Sequence, residues 1–367
     1  MATVSQPTID TASTPANRLS AIDRLLPLWI LLAMALGLAL GNVFPGIGAQ
    51  LNRVTVTGVS LPLALGLLWM MYPVLAKVRF ETLGRFQGRR ELFGLSMVLN
   101  WIVGPVLMFG LAWVFLPDEP AYRNGLILIG LARCIAMVLI WNSLACGDGD
   151  VAAVLVAFNA VFQILMYSVL GWLFLTEIPG WFGAETTALD VSMWEIARNV
   201  LIFLGIPLLA AIVSRIVLVR SKGSAWYEDR YLPKIGPTAL LGLLYTIVIM
   251  FAMQGDQVLD NPFDVLRIAL PLVVYFGTMF FIAFFSARRI GLDYEETAAV
   301  AFTAAGNNFE LAIAVAIGVF GVTSGEALAG VVGPLIEVPV LIALVYVSLW
   351  LRGRYFPAAP AQRTIYV

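Results

Sequence analysis

Cys134 follows Arg133 in the middle of one apolar run, and Asn307, Asn308 and Glu310 interrupt another. A thiol is soft, and as thiolate it is a nucleophile; Arg133 places a positive charge beside it. The two amides offer donors and acceptors without charge, which suits a neutral, hydroxyl-bearing ligand. Glu310 follows within one turn and is a candidate carrier of a proton. Each residue also has a purely structural reading. Cys134 is a small apolar side chain, Arg133 can cap carbonyls or pair with a carboxylate, the amides can pack between helices, and Glu310 can form an ion pair with Arg133. A charge at the centre of a bilayer costs about 2.5–3.5 kcal/mol on insertion scales, so such groups persist where they face a protein interior or a wet cavity.

The two interruptions correspond. A constant offset of 174 residues puts Cys134 on Asn308, Asn159 on Gly333 and Gln163 on Glu337, with no gap from Leu131 through Trp172. The correspondence is read as an internal repeat. Glu337 lies between Pro334 and Pro339, each of which removes an amide donor and frees a carbonyl, so it marks either a wet pocket or a stabilised kink. Asn159 and Gln163 add polar groups one turn apart. Trp141 and Asn142 are candidates to line an exit, whereas Glu326 reads as a charge at a helix N-terminus and Cys146 as incidental.

These residues need long apolar helices to hold them. The 367-residue chain is 60% hydrophobic and 12% charged, against roughly 45–50% and 25% for soluble domains. It is an all-α integral membrane protein. Ten spans are predicted, at 26–45, 58–76, 91–116, 123–145, 151–175, 195–217, 232–254, 264–286, 295–320 and 326–350. Residues 1–25 read as a disordered N-terminus and 351–367 as a tail. The net charge of −1 leaves no nucleic-acid footprint, and the chain has no histidine. The usual neutral-pH proton carrier is therefore missing, and proton handling falls to carboxylates or a thiol. Cys134 and Cys146 would stand about 18 Å apart on a continuous helix, too far for a disulfide. No ATP-binding or haem motif occurs, no nucleophile–base pair suggests an enzyme, and no cofactor is expected.

Of 22 Lys and Arg residues, 17 fall on one side of the predicted spans, including Arg18, Arg24, Arg79, Arg85 and Arg363; the opposite loops hold only Arg53 and Arg123. Both termini are thus expected on the cytoplasmic side. Five spans per half, 26–175 and 195–350, force the halves into opposite orientations. The expected fold is two inverted five-helix repeats, with spans four and nine broken and crossed and the substrate held near the midplane.

Three motifs carry a family likeness: GLARCIAMVLIWN from Gly130 to Asn142, GNNFELAIAVA from Gly306 to Ala316, and SGEALAGVVGPLIEVPV from Ser324 to Val340. They resemble the signatures of arsenical-resistance permeases of the bile acid, arsenite and riboflavin transporter superfamily. The resemblance implies arsenite efflux, with antimonite as a second candidate cargo, driven by proton antiport across the cell membrane. It implies a panel of spans one, two, six and seven and a core of spans three to five and eight to ten. The family's essential cysteine falls on Cys134 and its essential carboxylate on Glu310. Arg133, Asn307, Asn308 and Glu337 are then the candidate positioning residues around arsenic on Cys134, and an arsenite-delivering protein is a candidate partner. A sodium-coupled organic-anion symporter is the main rival; a membrane receptor or sensor lacks a soluble signalling domain.

Overall fold

The computed structural model describes residues 25–44, 46–56, 58–78, 89–183, 192–260 and 262–356. The expected disordered N-terminus, Arg18, Arg24, Arg79, Arg85 and the end of the tail with Arg363 lie outside them. The described chain is helical apart from one small hairpin. It runs α1 (Leu26–Val43), α2 (Ile47–Leu51), β1 (Thr55–Val56), β2 (Val59–Ser60) and α3 (Leu61–Ala76). Next come α4 (Arg90–Phe115), α5 (Pro120–Leu131), α6 (Val138–Leu144), α7 (Gly149–Trp181) and α8 (Met193–Lys222). A short helical lead from Ser224 enters α9 (Leu232–Asp260), followed by α10 (Pro262–Arg289), α11 (Tyr294–Ala305), α12 (Phe309–Phe320) and α13 (Gly325–Tyr355).

Among the described residues six helices are long and apolar enough to cross a membrane, and Leu28–Val43, Leu61–Ala76 and Phe309–Phe320 are shorter apolar helices. The predicted spans four and nine are not continuous. Their first halves are α5 and α11, their second halves α6 and α12, and residues 132–137 and 306–308 separate them. The helical spacing assumed between Cys134 and Cys146 therefore does not apply; both thiols are free. The predicted seventh span ends at 254, yet α9 continues to Asp260. Arg123, expected in a loop, lies in α5 and is buried, with its guanidinium 3.8 Å over the Trp113 ring and a hydrogen bond donated to the Pro117 carbonyl at 3.0 Å.

Local sequence explains where helices begin and bend. Side chains of Ser60, Asp148, Ser192, Asp293 and Ser324 accept hydrogen bonds from the first free amides of α3, α7, α8, α11 and α13, as N-caps do. Four π turns, Leu99–Val103, Leu173–Glu177, Leu201–Gly205 and Tyr227–Tyr231, each end two residues before a proline: Pro105, Pro179, Pro207 and Pro233. Proline lacks an N–H and its ring collides with the carbonyl four residues back; the wider turn relieves that collision without stopping the helix. By contrast, α13 passes through both Pro334 and Pro339 as helix.

Packing sorts the helices. α9 lies against α1 and α3, and α3 also meets α8. Separately, α10 packs on α4, α11 and α13, while α13 packs on α5 and α12. α8 joins the two groups by lying on α7 and α12. On one rim, Arg267 reaches Asp118 at 2.5 Å and Glu119 at 3.5 Å; its hydrogen bond holds the Asp118 carboxyl below the usual range.

Small residues permit the tightest approaches. Gly330 of α13 faces Ile313, and a methyl on Gly333 would overlap the Phe309 ring at the start of α12. Gly333→Ala is expected to destabilise the protein by about 1–3 kcal/mol, the usual cost of overpacking. A lowered midpoint of unfolding in detergent would show it; an unchanged midpoint would mean that Phe309 moves aside freely.

Candidate substrate site at the meeting of two helix breaks

The two non-helical segments satisfy each other. Arg133 and Asn307 form an antiparallel bridge, in which the Cys134 amide donates to the Gly306 carbonyl at 3.3 Å and the Asn308 amide to the Ala132 carbonyl at 3.0 Å. Backbone that leaves a helix inside an apolar interior must find partners elsewhere, and here each break supplies the other's. Side chains complete the arrangement. Gln163 Oε1 accepts from the Arg133 amide at 3.1 Å, and Glu337 Oε1 accepts from the Asn307 amide at 3.2 Å. Arg133 and Asn307, Cys134 and Asn308, Ala132 and Gly306, and Gln163 and Glu337 are all pairs 174 residues apart.

Arg133 is fully buried, and among the described residues it forms no ion pair, so the purely structural alternative of a pair with Glu310 is not seen. Its guanidinium donates to the Gly130 carbonyl, to the Ala304 carbonyl at 3.4 Å and to the Tyr275 hydroxyl at 2.9 Å. Gly130 and Ala304 lie in the last turns of α5 and α11. A helix C-terminus carries roughly half a negative charge, and one guanidinium lies on two of them. Asn307 adds to the cap, its Nδ2 donating to the Ile129 carbonyl at 2.6 Å and the Ala132 carbonyl at 3.3 Å.

The second half-helices begin at the site. Asn308 Oδ1 accepts from the Leu311 amide at 3.1 Å and so caps α12, which carries Glu310 in its first turn. Cys134, Asn307, Asn308 and Glu337 are all buried. A methyl on Gly306 would stand 3.4 Å from both Cys134 Sγ and Glu337 Oε1, so the glycine opens the space where thiol and carboxylate come close. Asn308 and Glu310 also line a narrow crevice with Leu311, facing Leu67 and Met71 of α3 and Phe203 and Leu204 of α8. Glu310 is the least buried of the candidates.

Two amide atoms are left over. Asn307 Oδ1 and Asn308 Nδ2 are buried and have no hydrogen-bond partner among the described residues. Such orphans cost free energy and are uncommon without a ligand, ion or water to meet them. They present one acceptor and one donor beside the thiol's helix break, a match to a hydroxyl group.

Other expectations fare differently. Trp141 and Asn142 are both buried, and Asn142 is committed to the turn into α7, donating to the Asp148 carbonyl at 3.0 Å. Glu326 sits in the first turn of α13 and accepts from Asn124 at 3.5 Å. Asn159 and Gln163 of α7 belong to a buried polar ladder whose other half, on α4, sequence reasoning missed. In it Asn100 bonds to Ser96, Trp101 Nε1 donates to Asn159 at 3.2 Å, and Gln163 donates to the Asn159 carbonyl at 3.3 Å. The run of Ser96, Asn100 and Trp101 at helical spacing was the available signal.

A model of the sodium bile acid symporter family matches residues 64–261. An arsenical-resistance protein Acr3 of Corynebacterium glutamicum is 55% identical over 350 residues, covering 95% of this chain and 94% of the relative. The chain belongs to the Acr3 arsenical-resistance proteins, within the sodium bile acid symporter family. An Acr3 protein of Alkaliphilus metalliredigens is 33% identical over 346 residues, covering 91% and 94% of the two chains. An uncharacterized transporter of Synechocystis is 34% identical over 367 residues, covering 95% and 93%. The Acr3-type chain is a multi-pass membrane transporter and not an enzyme, in keeping with its apolar helices. That membership displaces the receptor reading.

Proposed function

We propose that the protein exports arsenite from the cytoplasm in exchange for protons, with Cys134 as the arsenic ligand and Glu310 as the proton carrier. The observation that carries the proposal is a meeting of two helix breaks that holds a buried thiol on one strand and two amide atoms without partners on the other. The relatives' arsenical-resistance role agrees with it. Arsenite at neutral pH is mostly As(OH)₃, a soft centre bearing three hydroxyls. Attack by the Cys134 sulfur forms one S–As bond and breaks one As–O bond. The departing hydroxide leaves as water with the thiol proton, and no oxidation state changes. The two remaining hydroxyls find Asn307 Oδ1 as acceptor and Asn308 Nδ2 as donor, with Glu337 close by. A single thiolate makes an adduct that water can reverse, as a carrier requires. Antimonite, with the same hydroxyls on a softer centre, is a second cargo.

We assign Arg133 to the frame, as counter-charge to the ends of α5 and α11, and leave cargo contacts to the amides. The same reading makes α1, α3, α8 and α9 the panel and the remaining long helices the core. Ten spans are counted by adding α1, α3 and the paired half-helices to the six long ones, in two inverted halves with both termini cytoplasmic. What supports this is the 174-residue register of the meeting pairs and the bias of basic residues.

Everted membrane vesicles given an inside-acid gradient provide the test. Arsenite should accumulate and the accumulation should collapse with a protonophore. Glu310→Gln should abolish the dependence on the gradient, since an amide carries no exchangeable charge. Gradient-driven uptake that survives in Glu310→Gln would move the proton to Glu337. The family match keeps one rival in view: sodium-dependent movement of an organic anion, without arsenite movement, would hand the cargo to it.

A further inference from the structure

We infer that Gly318, with Asn199 and the β1–β2 hairpin, is the closed gate on the outer side of the transporter. The hairpin belongs to one group of helices: the Ser60 hydroxyl reaches the Met253 sulfur of α9 at 3.5 Å, and Ser60 caps α3. Its Gly58, at φ 84°, lies against the other group. A methyl there would stand 3.0 Å from the Gly318 carbonyl oxygen and 3.1 Å from its Cα. From α8, Asn199 closes on the same spot, and a methyl on Gly318 would stand 2.5 Å from its Oδ1 and 2.6 Å from its Nδ2. Asn199 is buried and its Nδ2 donates to the Glu195 carbonyl at 2.9 Å, which holds the amide in place.

Two segments distant in sequence thus converge on one glycine near the C-terminal end of α12. That helix begins at Asn308 and Glu310, in the crevice between the two groups. A glycine there removes the side chain that would hold the groups apart, so backbone meets backbone and amide. Interfaces of this kind have discrete arrangements rather than continuous ones, and cargo cannot pass along α12 while this one is shut. The gate must part for release on this side. The turns nearest it, after α1 and after α12, are the ones that the distribution of basic residues assigns to the outside.

The gate rests on the orientation proposed above, but not on arsenite being the cargo, and its test uses no arsenite. In a Cys146→Ser background Cys134 is the only thiol. Labelling of that thiol by a membrane-impermeant maleimide, applied to sealed cells or to everted vesicles, reads access from each face. Gly318→Ala should raise the outside labelling rate about tenfold, equivalent to about 1.4 kcal/mol lost from the closed state. Gly318→Ala combined with Asn199→Ala should return the rate towards its starting value, because the wedge then has room. That rescue separates gating from misfolding, and equal labelling after denaturation checks for equal protein. No change on either face, or no rescue, would overturn the gate. A rise from the cytoplasmic face alone would overturn the orientation and with it the outward assignment.

Discussion

Vesicles carrying Cys134→Ser are expected to accumulate no arsenite above the level of membranes without the protein, while the protein itself accumulates and unfolds normally. Serine is smaller than cysteine and keeps the backbone amide that bonds to the Gly306 carbonyl, so the meeting of the breaks survives. What is lost is the one soft atom at the site. An oxygen in its place offers arsenic nothing that water does not. Removing a supporting group beside a metal typically costs about 10–100-fold; removing the only bonding group should cost more. Cys146→Ser, in the turn before α7 with a positive φ of 55°, should leave transport intact. Undiminished efflux in Cys134→Ser would remove the thiol from the mechanism altogether.

A second large effect is expected at Arg133. Replacement by leucine would strip the guanidinium from the Gly130 and Ala304 carbonyls and the Tyr275 hydroxyl. Two helix ends would then face each other uncompensated in a dry interior. Each buried carbonyl or hydroxyl left without its partner costs about 1–3 kcal/mol, enough together to lower expression and the midpoint of unfolding in detergent. Lysine keeps the charge but not the planar fork that reaches several carbonyls at once, so Arg133→Lys should fall between. The counter-charge role makes a further demand: the loss must appear in the empty protein. An Arg133→Leu protein as stable as the parent but with weakened arsenite binding would return the residue to the cargo.

The polar interruptions were legible because an amide, a guanidinium or a carboxylate stands out in an apolar run. The 174-residue offset pairs Arg133 with Asn307 and Gln163 with Glu337; the first two bridge directly, and Gln163 and Glu337 each accept from the backbone amide of one of them. Which carbonyls Arg133 would reach was not legible. Ala304 is 171 residues away, and its free carbonyl exists only because α11 ends there. The sequence also made Arg123 look like a loop cation, since nothing in its neighbours announces the stacking on Trp113. Gly318 left no mark, because a glycine in an apolar helix reads as filler until Asn199 and Gly58 are seen beside it. The breaks at spans four and nine could be anticipated, whereas the four π turns follow a proline rule that only the backbone reveals.

The mutual bridge at Arg133 and Asn307 has a consequence for how the chain is made. When the ribosome has delivered only the first half, the Ala132 carbonyl and the Cys134 amide have no counterpart in the bilayer. They must borrow one from water or from the insertion machinery until the second half arrives. Biogenesis is therefore expected to contain a waiting step that closes when the segment with Asn307 docks on the segment with Arg133. Two separately synthesised fragments divided between α7 and α8 should each be short-lived alone and should protect one another from proteolysis when produced together.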